Sequence, residues 1–214
     1  MEIFGIKFDW LGHAAFRIEK YKKIFIDPFQ LKIKDSADIV LVTHDHFDHC
    51  SVEDIEKIIS KETIIVAAEK CKRELEELKN KISKIIYVKP NEKLNFEKIV
   101  IETFPAYNVN KKFHPKDSNY VGYIIEIDGI RIYHAGDTDL IPEMKDLKVD
   151  IALLPVGGTY TMDYKEAAEA VKIIKPKVAI PMHYGSIVGS EEDAKKFKEL
   201  LLNYSNVIIL EKLS

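Results

Sequence analysis

The feature of this sequence that most limits its fold is one recurring type of segment: a short apolar, β-branched run that stops abruptly at a polar residue. Ile24-Phe25-Ile26 runs into Asp27, Ile39-Val40-Leu41-Val42-Thr43 into His44, and Ile130-Arg131-Ile132-Tyr133 into His134 and then Asp137. Ile151-Ala152-Leu153-Leu154 runs into Pro155, and Val178-Ala179-Ile180 into Pro181 and His183. Continuous apolar runs of this length predict strands buried on both faces, and their polar ends predict one polar edge. Further strands are expected at Lys7–Trp10, Ala15–Glu19, Thr63–Ala67, Lys84–Val88, Lys98–Thr103 and Val121–Ile127. Helical spacing of apolar residues predicts helices at Val52–Lys61, Cys71–Lys79, Lys165–Ile174 behind a cap at Asp163, and Glu191–Asn203 behind Ser190 with Asp193 at the capping-box position. Helices scattered among strands in both halves favour a layered α+β fold over a β-sandwich or a helical bundle. No repeat, low-complexity tract or linker interrupts the 214 residues, so a single domain over 1–214 is expected.

Composition removes several functions. With Lys+Arg 32 against Asp+Glu 35 there is no basic excess to neutralise a run of phosphates, so nucleic acid is not an expected partner. The longest apolar stretches fall far short of the roughly 20 residues needed to cross a bilayer, so no membrane association is expected. The charged N-terminal segment, with Glu2, Lys7 and Asp9, does not read as a signal peptide, which points to the cytoplasm. Two cysteines, Cys50 and Cys71, make no disulfide framework in a chain of this size and are read as reduced thiols.

Chemistry concentrates in the histidines. Three of the seven lie in Thr43-His44-Asp45-His46-Phe47-Asp48-His49, directly after an expected strand. Residues two apart in extended backbone point the same way, so His44 and His46 can present imidazoles to one metal ion. Asp48 and His49 follow in a turn and can address a second, as a two-metal hydrolytic site requires. A solvated loop opening a helix would need one cap and has no use for three imidazoles. No Gly-x-Ser-x-Gly elbow or paired Cys/His motif supports covalent catalysis.

Four motifs in order carry a family resemblance: Phe25-Ile26-Asp27-Pro28, the Thr-His-x-His-x-Asp-His segment, Gly136-Asp137-Thr138 and Pro181-Met182-His183. They resemble the signature positions of the metallo-β-lactamase fold superfamily and span the chain from about Trp10 to His183. Trp10-Leu11-Gly12-His13-Ala14-Ala15-Phe16 and Leu154–Met162 are similar to its small, stand-alone metal-dependent hydrolase branch, which includes ascorbate 6-phosphate lactonase-like and phospholipase D-like members. The resemblance implies a four-layer αββα sandwich with the site at one edge between the two sheets. It implies that His44 and His46 hold a first metal, that Asp48, His49 and His183 hold a second, and that Asp137 bridges them. Asp27 would orient the His-x-His turn from behind, and the loop of His13 would lie beside the metals, where His13 can touch substrate.

One position departs from the family pattern. A further histidine for the first metal is normal between the two halves, where this chain reads Pro105-Ala106-Tyr107-Asn108. Asn108 occupies the expected place, and His114, six residues on, is the alternative ligand. Alternation turns His134 away from Asp137, leaving it orientation or packing. The expected cofactor is a pair of zinc ions, with manganese or iron compatible with mixed His/carboxylate ligands. The nucleophile would be a water activated on those cations, with Asp48 or Asp137 to orient it or carry a proton. The added domains of the superfamily's larger branches would not fit in 214 residues, so a small cytoplasmic ester, lactone or phosphodiester is the expected substrate. Two other readings stay open: a phosphodiesterase or nuclease acting as a homo-oligomer through Lys111, Lys112 and Lys116, and a metal-binding regulatory protein without turnover.

Overall fold

The computed structural model describes residues 1–213, whose contacts gather into two compact units: Met1–Lys89 with the chain from Leu210, and Pro90–Ile209.

The first unit holds a seven-stranded mixed sheet. Its strands are β1 (Glu2–Ile3), β2 (Ile6–Gly12), β3 (Ala15–Glu19), β4 (Lys23–Ile26), β5 (Ile39–Val42), β6 (Ile64–Ala68) and β7 (Lys84–Val88), lying side by side in chain order. Strands β1 to β4 pair antiparallel, and β4 to β7 pair parallel. Every residue of β5, Ile-Val-Leu-Val, is buried, as expected of a parallel strand covered on both faces. Because β4 and β5 are parallel neighbours, their C-terminal residues Asp27 and Thr43-His44 emerge at the same edge. The short helix α1 (Val52–Glu56) follows the histidine loop, capped by Ser51.

The second unit repeats this plan. Strands β8 (Lys93–Phe96), β9 (Ile99–Pro105), β10 (Val121–Ile127) and β11 (Ile130–His134) pair antiparallel; β12 (Ile151–Pro155), β13 (Val178–Met182) and β14 (Asn206–Val207) continue the sheet in parallel. The parallel strands β11 to β13 end next to Asp137, Pro155 and His183, so in this unit too the polar residues leave from one edge. Helix α2 (Tyr164–Ile174) buries Ala167, Ala168, Val171 and Ile174, the stripe its spacing predicts. Asp163 caps it by accepting from the amides of Lys165 and Glu166, while Glu166 accepts from the Asp163 amide. Helix α3 (Glu191–Leu200) starts with the expected box, the Ser190 amide donating to Asp193 at 2.7 Å.

The α+β expectation holds: two mixed sheets with few helices. Two helices differ from their reading. The one expected at Val52–Lys61 ends at Glu56, and Cys71–Lys79 is two single 3-10 turns, Glu69–Lys72 and Glu76–Leu78. Cys71, Leu75 and Leu78 are buried all the same. Three inward anchors are satisfied by separate turns, and a segment this short lacks the length over which helix formation becomes cooperative. Strand β8 was not foreseen; its alternating Lys93-Leu94-Asn95-Phe96 is only half-buried.

Candidate functional site

In the first unit the site is built behind the histidine loop. The carboxylate of Asp27 is fully buried and accepts from the Thr43 amide at 2.8 Å, the Thr43 hydroxyl at 2.7 Å and His49 Nδ1 at 2.8 Å. Its backbone is left-handed, with φ of 45°. With its proton given to Asp27, the Thr43 hydroxyl accepts from His44 Nδ1 at 2.9 Å. Both His44 and His49 therefore carry their ring proton on Nδ1 and turn Nε2 forward.

His44 Nε2 lies 3.1 Å from Nδ1 of His46. Two nitrogens at 2.0–2.1 Å from one tetrahedral ion stand about 3.3 Å apart, so this pair already has the bite of a shared cation. The loop of Gly12 and His13 reaches the same place: both are left-handed, at φ 106° and 52°, and Trp10 Nε1 donates to the His13 carbonyl at 2.9 Å. His13 Nε2 donates to Asp48 Oδ2 at 3.0 Å, and the ligand atoms of His13, Asp48 and His49 all lie within 4.8 Å of one another.

In the second unit Asp137, His114 and His183 come together although they are far apart in sequence. His114 Nε2 lies 3.3 Å from Asp137 Oδ2, and His183 Nε2 lies 3.2 Å from Asp137 Oδ1. Each oxygen of one buried carboxylate thus faces a different imidazole, the arrangement a bridging carboxylate needs. His183 is held at φ 58°. Three of these residues, His13, Asp27 and His183, sit in a backbone region that costs about 1–3 kcal/mol each and gathers at functional sites.

Of the sequence candidates, the first unit brings together His13, His44, His46, Asp48 and His49, and the second His114, Asp137 and His183. Asn108 points its amide oxygen at His114, with Nδ1 3.1 Å away. His134 acts locally: its Nδ1 accepts the Gly136 amide at 3.2 Å and shapes the turn before Asp137. Asp139 was missed. It is buried and accepts from Asn108 Nδ2, the Val109 amide and Lys111 Nζ. Its only sequence signal is a second carboxylate two residues after Asp137.

The donor chemistry fits metal ions. Neutral imidazole and carboxylate are ligands for zinc, manganese and iron. In His44, His49 and His114 the nitrogen away from the ligand position is anchored, by Thr43, Asp27 and Asn108 respectively. Anchoring one ring nitrogen to free the other is how proteins orient metal-binding histidines.

Comparison with known proteins agrees. The family described as Beta-lactamase superfamily domain matches residues 7–183. A protein of Pyrococcus furiosus named UPF0173 metal-dependent hydrolase is 36% identical over 225 residues, covering 96% of each chain. A solved structure from Parabacteroides distasonis shares 33% identity at a TM-score of 0.85, over 98% of this chain and 94% of that one. Igni18, described as a metallo hydrolase from Ignicoccus hospitalis, shares 28% identity at a TM-score of 0.79, over 98% of this chain and 96% of its own.

Proposed function

The chain belongs to the β-lactamase superfamily and is a metal-dependent hydrolase, and on that premise we propose that it cleaves a small ester, lactone or phosphodiester at a two-metal centre. The observation that carries the reading is Asp137, whose two oxygens each face a separate imidazole. In this reading His44, His46, Asp48 and His49 of the first unit and His114, Asp137 and His183 of the second would hold the zinc ions; the family match over 7–183 includes every one of them. Bound cations lower the pKa of a coordinated water and polarise the electrophilic oxygen of the substrate.

The chain's own groups do the rest. Asp27 and Thr43 hold His49 and His44 in the tautomer with Nε2 forward. His13 donates to Asp48 at 3.0 Å and so fixes which way that carboxylate turns, leaving Asp48 placed to take a proton from the attacking water. Phe47, 70% exposed beside His46 and Asp48 and set edge-on to Phe29 at 5.9 Å, offers an apolar surface for a substrate.

The lysines around His114 support a small-molecule substrate over a nucleic acid. Lys111 is paired with Asp139 at 2.6 Å and Lys116 with Glu143 at 3.0 Å, so neither cation stands ready for a phosphate backbone. Cys50 and Cys71 are both buried and unbridged. No helix among the described residues is long and apolar enough to cross a membrane.

The test is elemental analysis of the purified protein together with a panel of esters, lactones and phosphodiesters, run on wild type, His46→Ala and Asp137→Ala. The expected result is about two equivalents of zinc and hydrolysis in the wild type, both lost in the variants while circular dichroism is unchanged. Full activity in Asp137→Ala would sink the bridged pair.

A further inference from the structure

We propose that Asp139 and Asn108 form a positioning relay that selects the tautomer of His114, making Asn108 the residue that orients the ligand and not a ligand itself. The inference rests on the reading of His114 as a metal ligand only for its effect on metal affinity; the relay itself is a statement about the metal-free protein.

The argument starts from an amide whose orientation is determined at both ends. The oxygen of Asn108 accepts the His114 backbone N–H at 2.9 Å, a donor whose identity is not in question. The nitrogen of the same amide donates to Asp139 Oδ1 at 3.1 Å and to the Tyr160 carbonyl at 2.9 Å. A flipped amide would put N–H against N–H at one end and oxygen against a carboxylate and a carbonyl at the other, losing all three bonds. The oxygen therefore faces His114.

That same oxygen lies 3.1 Å from Nδ1 of the His114 ring. An amide oxygen has no proton to give, so Nδ1 must be the donor. A neutral His114 then has its lone pair on Nε2, the nitrogen 3.3 Å from Asp137 Oδ2. Asp139 is the fixed end of the relay: buried, ionically paired with Lys111 at 2.6 Å, and accepting the Val109 amide at 2.9 Å, so it clamps the loop as well as the Asn108 side chain. The backbone N–H of Asn108 donates to the His114 carbonyl at 2.7 Å and closes the loop on itself. The position where the family supplies a histidine is thus used to aim another one six residues on.

The readout is nitrogen NMR of the metal-free protein at pH about 8.5, two units above the ordinary imidazole value of about 6.5, with the His114 signals assigned by their loss in His114→Gln. The expected wild-type spectrum shows His114 protonated on Nδ1. In Asn108→Leu that preference should vanish, and zinc affinity, measured against a chromophoric chelator, should fall about 10–100-fold. The double variant Asn108→Asp with Asp139→Asn keeps an acceptor towards His114 and reverses the bond behind it while giving up the bond to the Tyr160 carbonyl; it should restore the Nδ1 proton and part of the zinc affinity. His114 protonated on Nε2 in the wild type, or an unchanged tautomer in Asn108→Leu, would overturn the relay. Zinc affinity unchanged in His114→Gln would instead remove His114 from the ligand set, a separate failure that the metal-free spectrum does not share.

Discussion

Nδ1 of His49 lies 2.8 Å from Oδ2 of Asp27, with both side chains fully buried. The pair links the end of β4 to the far end of the histidine loop, and the same carboxylate holds Thr43 and, through its hydroxyl, His44. Asp27→Ala would strand three buried donors. At about 1–3 kcal/mol for each group left unsatisfied, the loss should exceed about 2 kcal/mol in a denaturant titration. Asp27→Asn keeps the volume and weakens the hold on His49, so zinc affinity should drop about 10–100-fold with a smaller stability change. Wild-type zinc affinity in Asp27→Asn would contradict the orienting role.

Gly157 is where the backbone must pass beneath His183. A Cβ built there would lie 2.2 Å from the His183 carbonyl oxygen and 3.0 Å from a methyl of Val188. Gly157→Ala must push His183 from its left-handed position, so the expected result is about 1–3 kcal/mol of destabilisation and metal content reduced along with activity. A variant as stable and as metal-loaded as the wild type would show that the backbone yields there at no cost.

Asp54 sets an acid limit on the first unit. Burial raises its carboxyl, but hydrogen bonds from Lys57, Ser51 and the amides of Leu31 and Gln30 outweigh that and hold it below its ordinary value. Because the unfolded chain then takes up the proton first, the ionised group stabilises the fold fully above its ordinary value of about 3.9. That contribution disappears as the pH falls through the depressed folded value. Denaturant midpoints measured from about pH 6 downward should fall less steeply in Asp54→Asn than in the wild type below about pH 4; parallel curves would refute the assignment.

Metal removal should be visible as a stability change independent of any substrate. An ion present at a hundred times its Kd and bound only by the native state adds about 2.7 kcal/mol, or roughly 5–10 °C in Tm for a chain of this size. A chelator-treated sample should melt lower by that amount and recover on adding zinc. Identical melting with and without zinc would argue against binding by the folded chain.

The sequence by itself determined most of the strands, two of the helix starts and most of the donors. These rest on short-range order: β5 is legible because a parallel strand covered on both faces is apolar at every position, α2 because Asp163 and Glu166 cap it within four residues, and His44-x-His46-x-Asp48-His49 because its donors are packed into six. What only the tertiary structure decided are relationships between residues remote in the chain. His13 meets Asp48 across 35 residues, His49 meets Asp27 across 22, and His114 and His183 converge on Asp137. The direction in which the Asn108 amide faces was not legible from spacing, because it is set by Asp139 and Tyr160, 31 and 52 residues away. Periodicity records which side of an element is buried; it carries no information on which distant donor will sit opposite a given acceptor, since that depends on sheet register and on left-handed turns such as those at His13 and His183.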